Sequence, residues 1–283
     1  VTDTGTMRAG RLLSEPLPLA EHADDAGSLR TARVLKAYLC MAHNRLRGLD
    51  LNRIRAGQGL LPINALVTQR AGSLGRVRSF KDLNGLDGIL LADGAMFQGL
   101  ARYVGLAFEP MDSGLDPERE IVQRLDRARQ LLTVYDFVHV HTKAPDKASH
   151  AKDPLMKKTV IEALDRGLGA AAAPLLDDPE VLVVVTADHS TPSCGELIHS
   201  GGTVPVVFWG QGVRRDRVVQ FNEVSASMGS LGCLRRDELM LTILDHLDLS
   251  RMEGIRDTPL KSNFWPGRYQ AFTFEEQDDT HET

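Results

Sequence analysis

The 283-residue chain is poor in cysteine, in surplus positive charge and in long apolar runs. Its three cysteines, Cys40, Cys194 and Cys233, cannot all pair within one chain and show no zinc-finger spacing. Free thiols in a reducing, cytoplasmic compartment are expected rather than a disulfide framework. With 33 basic against 38 acidic residues, the formal net charge is -5. That balance argues against a nucleic-acid binder relying on a basic surface. No apolar run reaches the roughly 18 residues of a membrane span. The polar N-terminus lacks the apolar stretch of a secretory signal. An initiator Met is also missing, so the expectation is a processed, trimmed or incomplete chain.

What is present is ordinary globular composition, 42% apolar and 25% charged, which excludes a wholly disordered chain. The length has room for about two domains and a sizeable core. Histidine is the informative residue. Five of the nine, His139, His141, His150, His189 and His199, fall in one stretch beside several aspartates. That clustering raises metal or phosphate chemistry before any family is considered.

Periodicity supplies the organisation. Residues 30 to 49 read as an amphipathic helix with Val34, Leu35, Tyr38, Leu39, Met41 and Ala42 on its apolar face. Residues 63 to 69 look like a strand, 75 to 80 like a short one, and 88 to 92 like a buried one followed by a helix to about 104. The second half alternates more clearly. It has a helix over 118 to 132, a strand over 135 to 141, a helix over 155 to 173, strands over 181 to 187 and 204 to 209, and a helix over 237 to 247. The continuous apolar run at 181 to 187 predicts a strand buried on both faces. Strands alternating with helices predict an α/β sheet covered on both sides. The last nine residues carry five acids and are expected to be disordered.

Two of these strands run into chemistry. The first leads into Thr142-Lys143-Ala144-Pro145-Asp146 and on to His150. Asp146 and His150 are four apart, so a helical turn beginning near Pro145 points both to one side. The second leads into Asp188-His189, and His199 follows ten residues later. Sites in open α/β sheets gather outside the C-terminal ends of strands. Carboxylates with imidazoles suit Zn²⁺, Mn²⁺ and related divalent ions. Lys143 is placed to offset phosphate charge. His141 is a candidate supporting residue, and His139 reads as structural.

The segments HTKAPDKASH and TADHSTP, followed by HSGGTVPV, closely resemble motifs of the cofactor-independent phosphoglycerate mutases, archaeal-type branch, within the alkaline phosphatase superfamily. Arg8-Ala9-Gly10-Arg11 resembles that family's RAGR element. The helix TARVLKAYLCMAHNRL, followed by Asn52, Arg55, Gly59, Pro62, Asn64, Arg70 and Gly72, resembles another of its segments. The resemblance implies an α/β, alkaline phosphatase-like three-layer sandwich, truncated at its N-terminus, with a small inserted α+β domain. It implies two divalent metals, Mn²⁺ foremost with Zn²⁺ or Mg²⁺ as alternatives. Asp146, His150 and His199 would hold one, and Asp188 and His189 would help hold the other. Lys143 and Arg70 would serve catalysis, with Arg8, Arg11 and Arg55 binding the substrate, a small phosphorylated three-carbon acid. Guanidinium groups suit phosphate and carboxylate through forked hydrogen bonds. The implied reaction interconverts 3-phosphoglycerate and 2-phosphoglycerate through a phosphoserine.

The pattern also departs from the family. RAGR normally follows the strands that supply an Asp ligand and the nucleophilic serine, whereas here it lies at 8 to 11. The expected division is a residual core segment at 1 to 15, a shortened lid domain at 16 to 115, the metal-binding core at 116 to 268 and an acidic tail at 269 to 283. Lys147 stands where an acid is common and Gly202 where Asp is common. No nucleophile is identifiable, so the chain alone is expected to turn over little substrate. Three readings stay open: an enzyme fragment or product of a mis-set gene start, a diverged metal-dependent phosphatase or mutase relative completed by another chain, and a degenerate non-catalytic member that still binds metal. A homo-oligomer or a completing chain is the partner expected, with no nucleic acid and no membrane.

Overall fold

A computed structural model describes residues 1–5, 12–69, 71–72, 74–114, 116–235 and 238–250. Arg8, Arg11, Arg70 and the acidic tail lie outside the described residues. The chain divides into two units, Val1–Arg76 and Val77–Thr283.

The first unit is built on helices α1 (Ala26–Leu46) and α2 (Asp50–Gly57). Helix α1 begins at Ala26, four residues before the helix expected from residue 30, because the Asp25 side chain accepts from the Ser28 N–H and caps it. The Asn52 side-chain amide donates to the carbonyls of Leu46 and Ile63, and its oxygen accepts from the Ile63 N–H. One side chain thereby ties the two helices to the segment that follows. That segment, expected as a strand over 63 to 69, forms no strand. Its contacts with Thr4 are mixed: the Thr68 N–H donates to Thr4 Oγ1 at 3.0 Å, and the Thr4 N–H donates to the Thr68 carbonyl at 3.2 Å. Among the described residues this unit has helices but no strand.

The second unit opens with α3 (Phe80–Asn84), so the short strand expected over 75 to 80 is absent. Strand β1 (Gly88–Ala92), helix α4 (Ala95–Val104), strand β2 (Ala107–Pro110), helix α5 (Pro117–Leu131) and strand β3 (Phe137–Val140) follow. They form a parallel sheet in the order β2-β1-β3, and its strands lie on both sides of residue 115. Every residue of β1 is buried because the strand is central and covered on both faces. Ile89 and Leu91 pack with Ala128 and Leu131 of α5, and Leu90 and Ala92 pack with Ala101 of α4. A side-chain period of two thus sends alternate residues into two helix layers.

Short α6 (Ala144–His150), long α7 (Pro154–Ala171) and α8 (Ala173–Leu176) come next. Asp153 caps α7 by accepting from the N–H groups of Leu155 and Met156, with Pro154 opening the helix. Helix α7 approaches α5 closely at Gly167, where a Cβ would stand 2.7 Å from the Glu118 carbonyl oxygen. Glycine is required there by space rather than by backbone angle. Strands β4 (Val183–Val185) and β5 (Val207–Trp209) pair antiparallel with each other, and α9 (Glu223–Ala226) and α10 (Glu238–His246) complete the described elements.

Strand β4 corrects one expectation. The apolar run at 181 to 187 predicted a strand buried on both faces, yet Val183, Val184 and Val185 are each half-buried. Among the described residues β4 is hydrogen-bonded to β5 alone. An apolar run reports the hydrophobicity of a segment and carries no information about how many strands flank it.

Candidate metal centre

Strand β3 delivers the chain to Thr142 and Lys143, and α6 begins immediately after. Pro145 sits in the first turn of α6, where its missing N–H costs nothing. Ala148 and Ser149 are buried and seat the helix, and Ser149 Oγ donates back to the Pro145 carbonyl at 2.7 Å. With those two residues inward, Asp146 and His150 meet on one flank. His150 Nε2 lies 3.2 Å from Asp146 Oδ1, and Asp146 is the more sheltered, 18% exposed.

The third group arrives from the other strand. Beyond β4 the chain passes Asp188 and His189 and makes a loop that closes on itself. The Ser200 N–H donates to the Ser190 carbonyl at 3.0 Å, an isolated antiparallel bridge. This closure returns His199 to the side of His189, with ring centroids 4.1 Å apart. His199 Nε2 then stands 3.7 Å from Asp146 Oδ1, and the His150 and His199 rings are 5.3 Å apart. Asp146, His150 and His199 each offer one ligand atom, all within 4.8 Å of one another. For ligand bonds near 2.1 Å, tetrahedral geometry separates donor atoms by about 3.4 Å. The carboxylate–imidazole separations of 3.2 and 3.7 Å bracket that figure. One oxygen and two nitrogen donors suit a divalent ion, with no thiolate to restrict the choice.

Asp188 and His189 are arranged differently. Asp188 Oδ2 is 3.3 Å from His189 Nε2, and Asp188 is 67% exposed. Its charge is felt at the end of β3, where it opposes the lowering of the His139 and His141 pKa values. Burial is the main cause of that lowering. It pushes His141 down to about 4, helped by His139, Arg124 and Lys143. The His141 ring rests against Phe97 of α4, centroids 4.1 Å apart, so His141 is held as a neutral imidazole. Lys143 Nζ stands 3.8 Å from Asp146 Oδ2, a cation at the edge of the cluster. Lys147 turns away and donates to Ser113 Oγ at 3.3 Å.

The structure thus gathers Lys143, Asp146, His150, His189 and His199 around one point, with Asp188 beside His189. Arg55 belongs to the first unit, where its Nε donates to the Leu61 carbonyl at 2.9 Å. Arg8, Arg11 and Arg70 fall outside the described residues. Sequence reasoning passed over three residues. Thr191 Oγ1 donates to Asp146 Oδ1 at 3.0 Å and lies 3.1 Å from His189 Nδ1. Lys157 Nζ donates to the Thr191 carbonyl at 2.8 Å, and Lys152 Nζ donates to the carbonyls of Pro192 and Leu197. Nothing local distinguished Thr191 from Ser190, and the lysines act across more than thirty residues of chain.

Residues 21–246 match the family model of the metalloenzyme superfamily. The chain is 41% identical over 229 residues to 2,3-bisphosphoglycerate-independent phosphoglycerate mutase 2 of Methanocaldococcus jannaschii, covering 80% of this chain and 50% of that protein. It is 36% identical over 257 residues to 2,3-bisphosphoglycerate-independent phosphoglycerate mutase 1 of Archaeoglobus fulgidus, covering 90% of this chain and 61% of that one. A solved structure of a Pyrococcus horikoshii protein superposes with a TM-score of 0.68 at 30% identity, covering 82% of this chain and 61% of the other. The chain spans about half to three fifths of the length of these relatives. On the family-model match and these likenesses, the chain belongs to the metalloenzyme superfamily and is a cofactor-independent phosphoglycerate mutase-like protein of mixed α/β, alkaline phosphatase-type fold.

Proposed function

We propose that this chain carries the divalent-metal centre of a 2,3-bisphosphoglycerate-independent phosphoglycerate mutase, a cytoplasmic isomerase of glycolysis that interconverts 3-phosphoglycerate and 2-phosphoglycerate. The observation that carries the reading is the convergence of Asp146, His150 and His199 beside Lys143. Asp146, His150 and His199 hold one ion, Mn²⁺ foremost, with Zn²⁺ and Mg²⁺ as alternatives. Asp188 and His189 contribute to a second. Bound divalent ions supply positive charge against phosphoryl oxygens and lower the pKa of a coordinated hydroxyl.

The chain's own groups then divide the work. Lys143 presents an ammonium to the phosphorylated acid next to the metal ligands, where it offsets the substrate's negative charge. Arg70, Arg8, Arg11 and Arg55 grip its phosphate and carboxylate. In the whole protein, the phosphoryl group leaves a glycerate oxygen for a serine oxygen. The freed glycerate oxygen gains a proton as the serine oxygen loses one, and the phosphoryl group then returns to the neighbouring glycerate hydroxyl, which loses its proton as the serine oxygen regains one. None of the serines in this chain is assigned that role, and a completing chain is the partner proposed to supply it; a homo-oligomer is the other association proposed. Residues 16 to 115 are read as a shortened lid preceding the metal-binding part.

Calorimetric titration of the full chain with Mn²⁺, beside an assay that couples 2-phosphoglycerate to enolase, tests this. The expected result is one tight ion and one weaker ion, with turnover of the chain alone far below the roughly 1–10³ s⁻¹ of typical enzymes. An absence of saturable Mn²⁺ binding would overturn the reading, and so would two equally tight ions.

A further inference from the structure

The Thr191 side chain sits between the two Asp-His pairs and is almost fully enclosed, 5% exposed. Its hydroxyl has one proton to give. Asp146 Oδ1, at 3.0 Å, is a carboxylate oxygen and can only accept, so the Thr191 proton goes there. The contact left to the Thr191 oxygen is His189 Nδ1, at 3.1 Å. An oxygen whose proton is already committed can only accept from that nitrogen, so Nδ1 must carry the hydrogen. In the neutral ring Nε2 is then bare. That bare nitrogen lies 3.3 Å from Asp188 Oδ2, so two electron-pair donors face each other. A pair of this kind is drawn together by positive charge, which a bound cation supplies where the ring is neutral and a proton on Nε2 where it is not.

We propose that Thr191 is a positioning residue that joins the two halves of the centre: one hydroxyl orients Asp146 and locks His189 in the Nδ1–H tautomer, which aims Nε2 with Asp188 at a cation. The proposal rests on the reading of Asp146 and His189 as metal ligands. Its support is tertiary. Lys157 holds the Thr191 carbonyl at 2.8 Å, and the Ser190–Ser200 bridge closes the loop behind it. The hydroxyl is therefore held in place by contacts other than its own two hydrogen bonds. A hydrogen bond to one ring nitrogen decides which nitrogen is free to bind metal.

The test uses the full chain, its Thr191→Val and Thr191→Ser variants, and two readouts. Histidine ¹⁵N spectra of the metal-free protein at about pH 8, above the ordinary imidazole range, report the tautomer of His189. Mn²⁺ titration reports affinity. The wild-type ring is expected as a single Nδ1–H form. Thr191→Val should give a mixture or the opposite tautomer and bind Mn²⁺ about 10–100-fold more weakly. Thr191→Ser should keep both the tautomer and the affinity. A wild-type His189 protonated at Nε2 in the neutral ring would overturn the inference, and this measurement needs no variant to fold. So would a Thr191→Val protein with an unchanged tautomer and Mn²⁺ affinity within twofold of wild type. If the wild type shows the Nδ1–H form and Thr191→Val loses it while neither binds Mn²⁺, the positioning role stands and the metal reading fails.

Discussion

The chain beyond β3 and the chain beyond β4 both pass from apolar strand to an Asp-His pair, but they assemble it by different means. After β3, the pair is spaced four apart on a helix, and helical geometry alone brings Asp146 and His150 to 3.2 Å. After β4, Asp188 and His189 are neighbours in non-helical chain, and Asp188 stays 67% exposed. Consecutive side chains diverge, so His189 is steered by Thr191, by the Ser190–Ser200 bridge and by the lysines of the α6–α7 region. The Asp146–His150 pair is built by local geometry, whereas Asp188–His189 and the incoming His199 depend on long-range clamps. The Asp146–His150 pair should therefore be the more tolerant of distant change, and with His199 it makes the more complete and tighter metal site.

The comparison breaks most severely through the anchor of β3. Thr142, the residue before Lys143, donates its hydroxyl to Glu120 Oε1 at 2.6 Å. Glu120 also pairs with Arg124 at 3.1 Å, and both side chains are buried, 3% and 1% exposed. Burial lowers the Arg124 pKa while Glu120, Asp93 and Asp112 pull it back up, so the guanidinium depends on its acidic neighbours. Arg124 Nε and Nη1 have no hydrogen-bond partner among the described residues. Glu120→Ala would leave a buried cation and release Thr142. The expected loss is about 3–5 kcal/mol of stability, read as a lower denaturation midpoint. A midpoint unchanged within error would show that this pair does not anchor the loop.

The two halves can next be separated by metal. His150→Ala removes a direct ligand and should weaken the tight Mn²⁺ binding on the order of 100-fold or more, beyond what supporting residues cost. Asp188→Asn should weaken the second ion about tenfold and leave the first within twofold. Equal losses at both ions from either variant would mean that the halves form one indivisible cluster. The direction of difference follows from exposure, since a carboxylate already facing water has less fixed geometry to lose.

What could be read in the sequence follows the same division between local and distant. The Asp146–His150 pair and the helix that carries it were legible because Pro145 and a spacing of four are local features. The elements α5, α7 and β1 were also legible, from a charged helical pattern, a helix-length segment and a short apolar run, all local in sequence. The return of His199 was legible only as a motif, because the Ser190–Ser200 bridge that produces it is a tertiary event. Thr191 was passed over, since its role depends on where Asp146 stands, 45 residues away. The segment at 63 to 69 was misjudged: near its end the Thr4 hydroxyl takes up the Thr68 N–H that a ladder would otherwise pair. The half-burial of β4 was invisible to an apolar run for a related reason, since neighbours are chosen by topology.

The smallest predicted effect tests whether the two strand ends sense each other. His141 closes β3, and its pKa is pushed down to about 4 by burial first and by the His139 imidazole next, with Asp188 opposing. In an unfolded chain the same imidazole has a value near 6.5. Above that value both states are neutral and the residue contributes no pH dependence. As pH falls from about 6.5 towards 4, the unfolded state takes up a proton that the folded state resists, so stability falls across that window. The metal-free protein should lose part of its denaturation midpoint between those limits, and His141→Gln should remove that part while leaving the slope above pH 7 unchanged. Asp188→Asn should make the loss slightly larger, because the charge opposing the shift is gone and the folded-state pKa drops further. If Asp188→Asn leaves the midpoint-versus-pH curve of the metal-free protein superimposable on wild type, the carboxylate after β4 does not act on the end of β3. The two halves would then communicate through the Thr191 hydroxyl and the His189–His199 contact rather than through that charge.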